Sequence, residues 1–166
     1  MRVLFGLKTA SLRFGNIYGP RSGHKKSIIA QYIKQALNGN IIEIFGDGNQ
    51  TRDFIFISDL VEAILLASSV NLTGEVVHIA TSETSIKEIV ENLKFLISTK
   101  EVFPPVRVKK SNPRVGEIKH NFSKSNKAFK LFGWTPKVTL EVGLRLTVDW
   151  FIRQKNVENQ FEIGCE

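Results

Sequence analysis

The stretch "LRFGNIYGPR", Leu12 to Arg21, decides how the rest of the chain is read. An apolar run, a lone Asn and then Tyr-Gly-Pro-Arg describe a strand breaking into a tight, polar loop. Such loops commonly carry binding residues, held in place by a framework of regular elements. Little of the present sequence comes before it, so the framework has to be sought downstream.

Downstream, strands and helices alternate. Before the loop, Gly6 closes a short helical turn over Val3 to Phe5, and "TASLRF" reads as a buried strand. Apolar residues from Ile28 to Leu37 recur every three to four positions, which makes an amphipathic helix that stops at "NGN". "IIEIF" is a strand and "GDGNQT" a turn. "RDFIFIS" is apolar on both faces, as in a strand covered on two sides. Asp59 with Glu62, and Ser85 with Glu88, have capping-box spacing and are expected to open the helices "LVEAILLA" and "IKEIVENLKFLI". "EVVHIA" and "PPVRVKK" are further strands, the second followed by a polar loop through Glu117. A short helix over Asn126 to Phe132 stops at Gly133, and a last one begins near Thr139. The alternation with short connections predicts an α/β fold.

A chain of 166 residues is the size of one domain. No apolar run approaches the ~20 residues of a membrane span, and no secretory signal is evident, so no membrane partner is expected. The single cysteine, Cys165, can build neither a disulfide framework nor a cysteine metal site, which suits a cytoplasmic protein. The net charge of +7 raises the question of nucleic acid. The basic residues are scattered, though, and the densest group, "RVKKSNPR", has no interleaved aromatics of the kind single-strand binders use. No nucleic-acid partner is expected. A basic pocket for a small phosphorylated ligand accounts for the excess.

No catalytic constellation stands out. His24, His78 and His120 have no second ligand at metal spacing, and His78 reads as a structural strand residue. There is no Gly-x-Ser-x-Gly elbow, phosphate-binding Gly-Lys-Ser/Thr loop or Gly-x-Gly-x-x-Gly fingerprint. What remains is polar residues at strand ends, where open α/β sheets bind ligands. Asn16 follows "SLRF", Arg52 starts "DFIFI", and Arg114 and Glu117 share the loop "NPRVGE". Two converging arginines would grip a diphosphate bidentately, and a carboxylate would accept from sugar hydroxyls. Equally, Arg52 could pair with Asp53 or Asp59, and Arg114 with Glu117, as structural ion pairs.

Four motifs taken in order settle a family resemblance: "LRFGNIYGPR", "IFGDGNQTRDFIFISDLVEAI", "HIATSETSIKEIV" and "RVGEIKHNFSKSNKAFKLFGWTPKVTLEVGLRLTVDWF". Together they resemble the carboxyl-terminal half of extended short-chain dehydrogenases/reductases, the NAD-dependent sugar-nucleotide epimerases and dehydratases. The resemblance covers roughly Phe5 to Ile152. It implies an α/β fold made of a substrate-binding lobe plus the last strands of a Rossmann-like parallel sheet, with the dinucleotide-binding amino-terminal half missing. Residues 1–166 would form a single sugar-nucleotide-binding domain. The opening loop would then belong to the middle of a longer protein.

In that family a Tyr-x-x-x-Lys pair and the glycine-rich fingerprint precede the strand that "SLRF" matches. Here Tyr18 is followed at that spacing by Ser22 and Tyr32 by Ala36, so no catalytic residue is assigned. NAD would bind only if the missing half were supplied, and the chain is not expected to turn over a substrate alone. By resemblance, Asn16 contacts the diphosphate or adjacent sugar, Arg52 and Arg114 hold the diphosphate, and Glu117 binds ribose. The backbone at Ile44 and Phe45 cradles the base, and Phe14 approaches the nicotinamide. The ligand would be a UDP- or dTDP-sugar. The reaction of the whole could be that of a UDP-glucose 4-epimerase, a dTDP-glucose 4,6-dehydratase or a UDP-glucuronate decarboxylase. A stand-alone nucleotide-sugar-binding module and a non-functional remnant are the other readings.

The chain departs from the family pattern in three places. Lys124 replaces a usual Asp, leaving Ser123 or Ser125 to cap the following helix. "HIATSE" replaces an Asn-containing version, and "SGHKKS" is unusually basic. Without the other half, "TASLRF" and "EVVHIA" would present bare edges and apolar faces. Self-association, or pairing with a separately encoded cofactor-binding half, is therefore expected.

Overall fold

The computed structural model describes residues 8–100 and 102–163; the turn ascribed to Val3–Gly6 lies outside them, as does Cys165. The strands are β1 (Ala10–Phe14), β2 (Asn16–Tyr18), β3 (Ile42–Phe45), β4 (Thr51–Phe56), β5 (Glu75–Ile79), β6 (Glu83–Ser85), β7 (Val108–Ser111) and β8 (His120–Asn121). The helices are α1 (Ile28–Leu37), α2 (Ile57–Ser68), α3 (Ile86–Ser98), α4 (Asn126–Phe132) and α5 (Leu140–Ile163). This is an α/β arrangement in which β1 pairs with β5, β2 with β4, β3 with β7 and β4 with β8, all in parallel. The short β6 runs antiparallel to β4.

β4 is the hub, and its alternation explains why. Phe54 and Phe56 enter one core with α1, β3, α3 and α5, whereas Ile55 points to the other side. There it meets Leu60 of α2, Val77 and Ile79 of β5, and Trp134. Period-2 side-chain alternation on a strand covered on both faces produces this division. Around the first core, α1 buries Ile29, Tyr32, Ile33, Ala36 and Leu37, and α3 buries Ile86, Ile89, Val90, Leu93 and Ile97. α5 adds Leu144, Val148 and Phe151.

Three local expectations need correction. Asp59 does not cap α2. That helix starts at Ile57 after Phe56, and Asp59 lies buried in its first turn. Its Oδ2 accepts from the backbone N–H groups of Lys137 (3.1 Å) and Val138 (3.0 Å), and its carbonyl from Trp134 Nε1 (2.9 Å). A tertiary contact has claimed the side chain that local spacing gave to a cap. Ser125 does stand at the start of α4, but its ψ of 14° is not the extended N-cap conformation, and its hydroxyl does not bond the helix. Ser85, with ψ 153°, does cap α3 by accepting from Glu88 N.

The third correction concerns "TASLRF". The strand forms, but of its residues only Leu12 is even half-buried, and Phe14 is 46% exposed. Val76 on β5 and Val61, Ile64 and Leu65 on α2 are exposed as well.

Candidate functional site

β3, β4 and α1 meet around a cleft of about 520 Å³ lined by Asn16, Lys26, Ser27, Ile28, Gln31, Tyr32, Gln35, Glu43, Phe45, Gln50, Ile86, Arg52, Arg114 and Glu117. Five of the seven residues singled out from the sequence thus line one cavity: Asn16, Phe45, Arg52, Arg114 and Glu117. Ile44 does not, because its side chain is buried in the core. Phe14 stands beside a separate hollow of about 210 Å³ at the carboxyl ends of β1 and β5, with Arg13, His78 and Asp53. Asn16 lines both spaces.

Strand periodicity places Arg52. On β4 it shares a face with Phe54 and Phe56, so it emerges where their core opens into the cleft. Its Nη1 donates to the carbonyls of Thr51 and Ile118, each at 2.7 Å, and its Nη2 lies 3.6 Å from Glu117 Oε1. The anticipated alternative pairing with Asp53 or Asp59 is not formed. Asp53 instead accepts from Thr81 N (3.0 Å) and Thr81 Oγ1 (2.9 Å). Burial pushes the Asp53 carboxyl up from its ordinary range, against the opposing effect of those two bonds.

Arg114 and Glu117 bracket a turn closed by Glu117 N donating to Arg114 O at 3.2 Å. At the third turn position, Gly116 takes φ +78°, a conformation that favours glycine. The Arg114 guanidinium is not paired with Glu117. It lies over the Phe45 ring, 3.9 Å from the centroid. Gln50 links the two walls, donating from Nε2 to Phe45 O at 2.8 Å and to Glu117 Oε1 at 3.4 Å. Gly46 (φ +73°) and Gly48 (φ +84°) shape the turn that delivers Gln50 and Arg52.

The wall contributed by α1 escaped the sequence reading. Ser27, Gln31 and Gln35 recur at four-residue spacing and form one polar stripe along it. Ser27 Oγ and Gln35 Oε1 are shielded from solvent and have no partner among the described residues. Tyr32 donates to Glu43 O at 3.2 Å, and burial raises its phenol while nearby Arg114 opposes the shift. The i, i+4, i+8 polar spacing was present in the sequence. It could not be told from an ordinary solvated helix face.

Chemically, the cleft offers two guanidinium forks, a lysine, two carboxylates and buried amide and hydroxyl groups. Planar forks favour phosphoryl oxygens, and carboxylates favour hydroxyl donors. Among the described residues no three His, Cys, Asp or Glu side chains gather as metal ligands. Also among the described residues, no helix is long and apolar enough to cross a membrane.

Residues 1–80 match the NAD dependent epimerase/dehydratase family. A UDP-N-acetyl-alpha-D-glucosaminuronate decarboxylase of Bacillus cytotoxicus is 33% identical over 95% of this chain and 49% of its own length. The UDP-glucose 4-epimerase of Thermotoga maritima, solved with UDP-glucose, superposes with a TM-score of 0.81 at 34% identity, covering 93% of this chain and 49% of that one. The UDP-glucuronic acid 4-epimerase of Bacillus cereus, solved with UDP-glucuronic acid and NAD, gives 0.80 at 28% identity over 92% and 48%. The chain therefore spans about half the length of the relatives it matches. With its motifs, its parallel α/β fold and these relatives in agreement, the chain belongs to the NAD-dependent epimerase/dehydratase family.

Proposed function

We propose that residues 1–166 form the sugar-nucleotide-binding lobe of an NAD-dependent epimerase or dehydratase, and that the ligand is a UDP-sugar. The observation that carries this reading is the convergence of Arg52, Arg114 and Glu117, from separate parts of the sequence, on one cleft of about 520 Å³. That volume suits a ligand of nucleotide-sugar size. The two arginines would hold the diphosphate, Glu117 the ribose hydroxyls, and Asn16 the sugar side. The Phe45 ring and the backbone at Ile44 and Phe45 would hold the base. A dTDP-sugar fits the same groups, and the named relatives favour UDP.

NAD supplies and recovers a hydride when bound. On this reading the dinucleotide is held mostly by the cofactor-binding half, and of these residues Phe14, beside a hollow of about 210 Å³, would approach its nicotinamide. The Tyr-x-x-x-Lys pair is likewise not within these residues. On this reading hydride and proton transfer would be supplied by groups outside them, and epimerase, dehydratase or decarboxylase chemistry would be set there. The apolar surface of β1, β5 and α2 is where that cofactor-binding half, or a second copy of this chain, would pack.

Titration calorimetry of the chain with UDP tests the reading. Binding that falls at least about tenfold in both Arg52→Ala and Arg114→Ala is the expected result. Binding unchanged in both variants would overturn the diphosphate assignment.

A further inference from the structure

A separate hollow of about 310 Å³ forms where β2, β4 and β6 meet the start of α5, and it shares no lining residue with the cleft. Two buried hydroxyls line it. Tyr18 on β2 and Thr84 on β6 are each 3% exposed. Tyr18 Oη has no hydrogen-bond partner among the described residues, and Thr84 Oγ1 has only a long contact of 3.4 Å with Ser82 O. A buried phenol is ordinarily hydrogen-bonded, and one left open marks a place for a partner.

Gly143 shows where that hydroxyl lies. A Cβ on Gly143 would fall 2.3 Å from Tyr18 Oη, so the phenol abuts the first turn of α5, which starts at Leu140. In that turn Thr139 Oγ1 accepts from Val142 N (3.4 Å) and Thr139 O from Gly143 N (3.0 Å). The N–H groups of Leu140 and Glu141 have no acceptor among the described residues. Free N–H groups and the positive end of the helix dipole favour an anion there, and Tyr18 adds a side-chain donor to them. Burial, and after it the charge of Asp59, raises the Tyr18 phenol and keeps it a donor. No carboxylate lines the hollow. Asp59 holds Lys137 N and Val138 N, Glu62 pairs with Lys137, and Glu141 is exposed.

The rest of the wall is largely apolar, with Phe54, Pro136, Val138 and Leu140. Open donors set in such a wall select a ligand that has both an acceptor group and an apolar body. We infer that this hollow is a second ligand site, for a small carboxylate with an apolar body. The carboxylate accepts from Tyr18 Oη and the first amides of α5, and the body covers Val138 and Leu140. Inorganic phosphate would match the donors but leave the apolar wall bare. The inference does not depend on the sugar-nucleotide reading, because none of its residues lines the cleft.

NMR titration of the 166-residue chain with benzoate tests it, with benzyl alcohol and inorganic phosphate as controls. Benzoate should give saturable shifts at the amides of Thr84, Leu140 and Glu141, with or without UDP present. Tyr18→Phe, which removes only the hydroxyl, should weaken benzoate about tenfold. Ser82→Trp, at an exposed lining residue, should fill the hollow and abolish binding while the rest of the spectrum stays that of the parent. No saturable shifts, displacement of benzoate by UDP, or full affinity in either variant would overturn the site. Benzyl alcohol binding as tightly as benzoate would overturn the carboxylate, and phosphate binding as tightly would overturn the apolar body.

Discussion

The Arg52 guanidinium reaches across the cleft to Glu117, with Nη2 3.6 Å from Oε1, while its Nη1 holds the carbonyl of the next residue, Ile118, at 2.7 Å. One side chain on a rigid strand thereby fixes the loop that carries Arg114. At 3.6 Å the two groups are too far apart for a charge-assisted hydrogen bond, and Arg52 is held by its two carbonyl acceptors instead, so the pair itself contributes little stability. Glu117→Gln should change unfolding free energy by less than about 1 kcal/mol. It should weaken UDP binding about tenfold if the carboxylate takes ribose hydroxyls. Chemical denaturation alongside calorimetry separates the two effects.

Asp59 should behave in the opposite way, as a structural residue. It is 2% exposed and accepts two backbone N–H groups from the segment before α5. Asp59→Ala leaves both donors unpaired and should cost about 2–4 kcal/mol of stability. Asp59→Asn retains an acceptor oxygen and should cost less. Urea unfolding midpoints of the two variants give the comparison, and an Asp59→Ala protein as stable as the parent would contradict the assignment.

Gly143 makes room for Tyr18. A Cβ there would lie 2.3 Å from Tyr18 Oη and 3.0 Å from Phe56 Cδ2, in a ring cluster that is itself buried. Gly143→Ala gains about 1 kcal/mol of helix propensity but incurs about 1–3 kcal/mol of overpacking. Since Tyr18 is packed against Phe54 and Phe56, the clash should win, and thermal melting should show a lower Tm.

Asp53 gives the protein a pH signature. Burial raises its folded-state carboxyl above the ordinary value, so the native state holds this proton more tightly than the unfolded state does. Stability from this group is then fully present below the ordinary carboxylate pKa of about 3.9 and is lost as pH rises through the raised folded value. Asp53→Asn keeps an acceptor for Thr81 and cannot ionise. The variant should therefore gain stability relative to the parent as pH climbs through that window. A stability difference constant from pH 3 to pH 7 would show that Asp53 titrates alike in both states.

The bare apolar face should also have a solution consequence. Ile64 is 47% and Leu65 61% exposed on α2, and Phe14 and Val76 are bare on the β1–β5 pair. Surfaces of this kind associate. Sedimentation velocity of the chain alone should show self-association that Leu65→Glu reduces. A parent protein that stays monomeric at tens of micromolar would count against this face as an interface.

The α/β alternation, the helix faces and the polar strand ends are legible in the residue pattern alone, because period-2 and period-3.6 patterns are local properties of the chain. Motifs whose order along the chain is family-specific also marked seven candidate residues, five of which line the cleft. Other features depend on contacts between distant segments. Asp59 has cap spacing but serves a segment nearly eighty residues away through Lys137 and Val138, a contact no local window contains. Arg114 could be matched on paper with Glu117, yet it stacks on Phe45, since the direction of a guanidinium on a turn depends on which wall faces it. Ser27 and Gln35 lie on a polar helix face that the sequence pattern cannot tell from a solvated one, yet Ser27 Oγ and Gln35 Oε1 are shielded from solvent where α1 lines the cleft. Side-chain type and spacing are written in the sequence, but which polar groups lose water, and which are left unpaired for a ligand, is settled only when distant segments pack together.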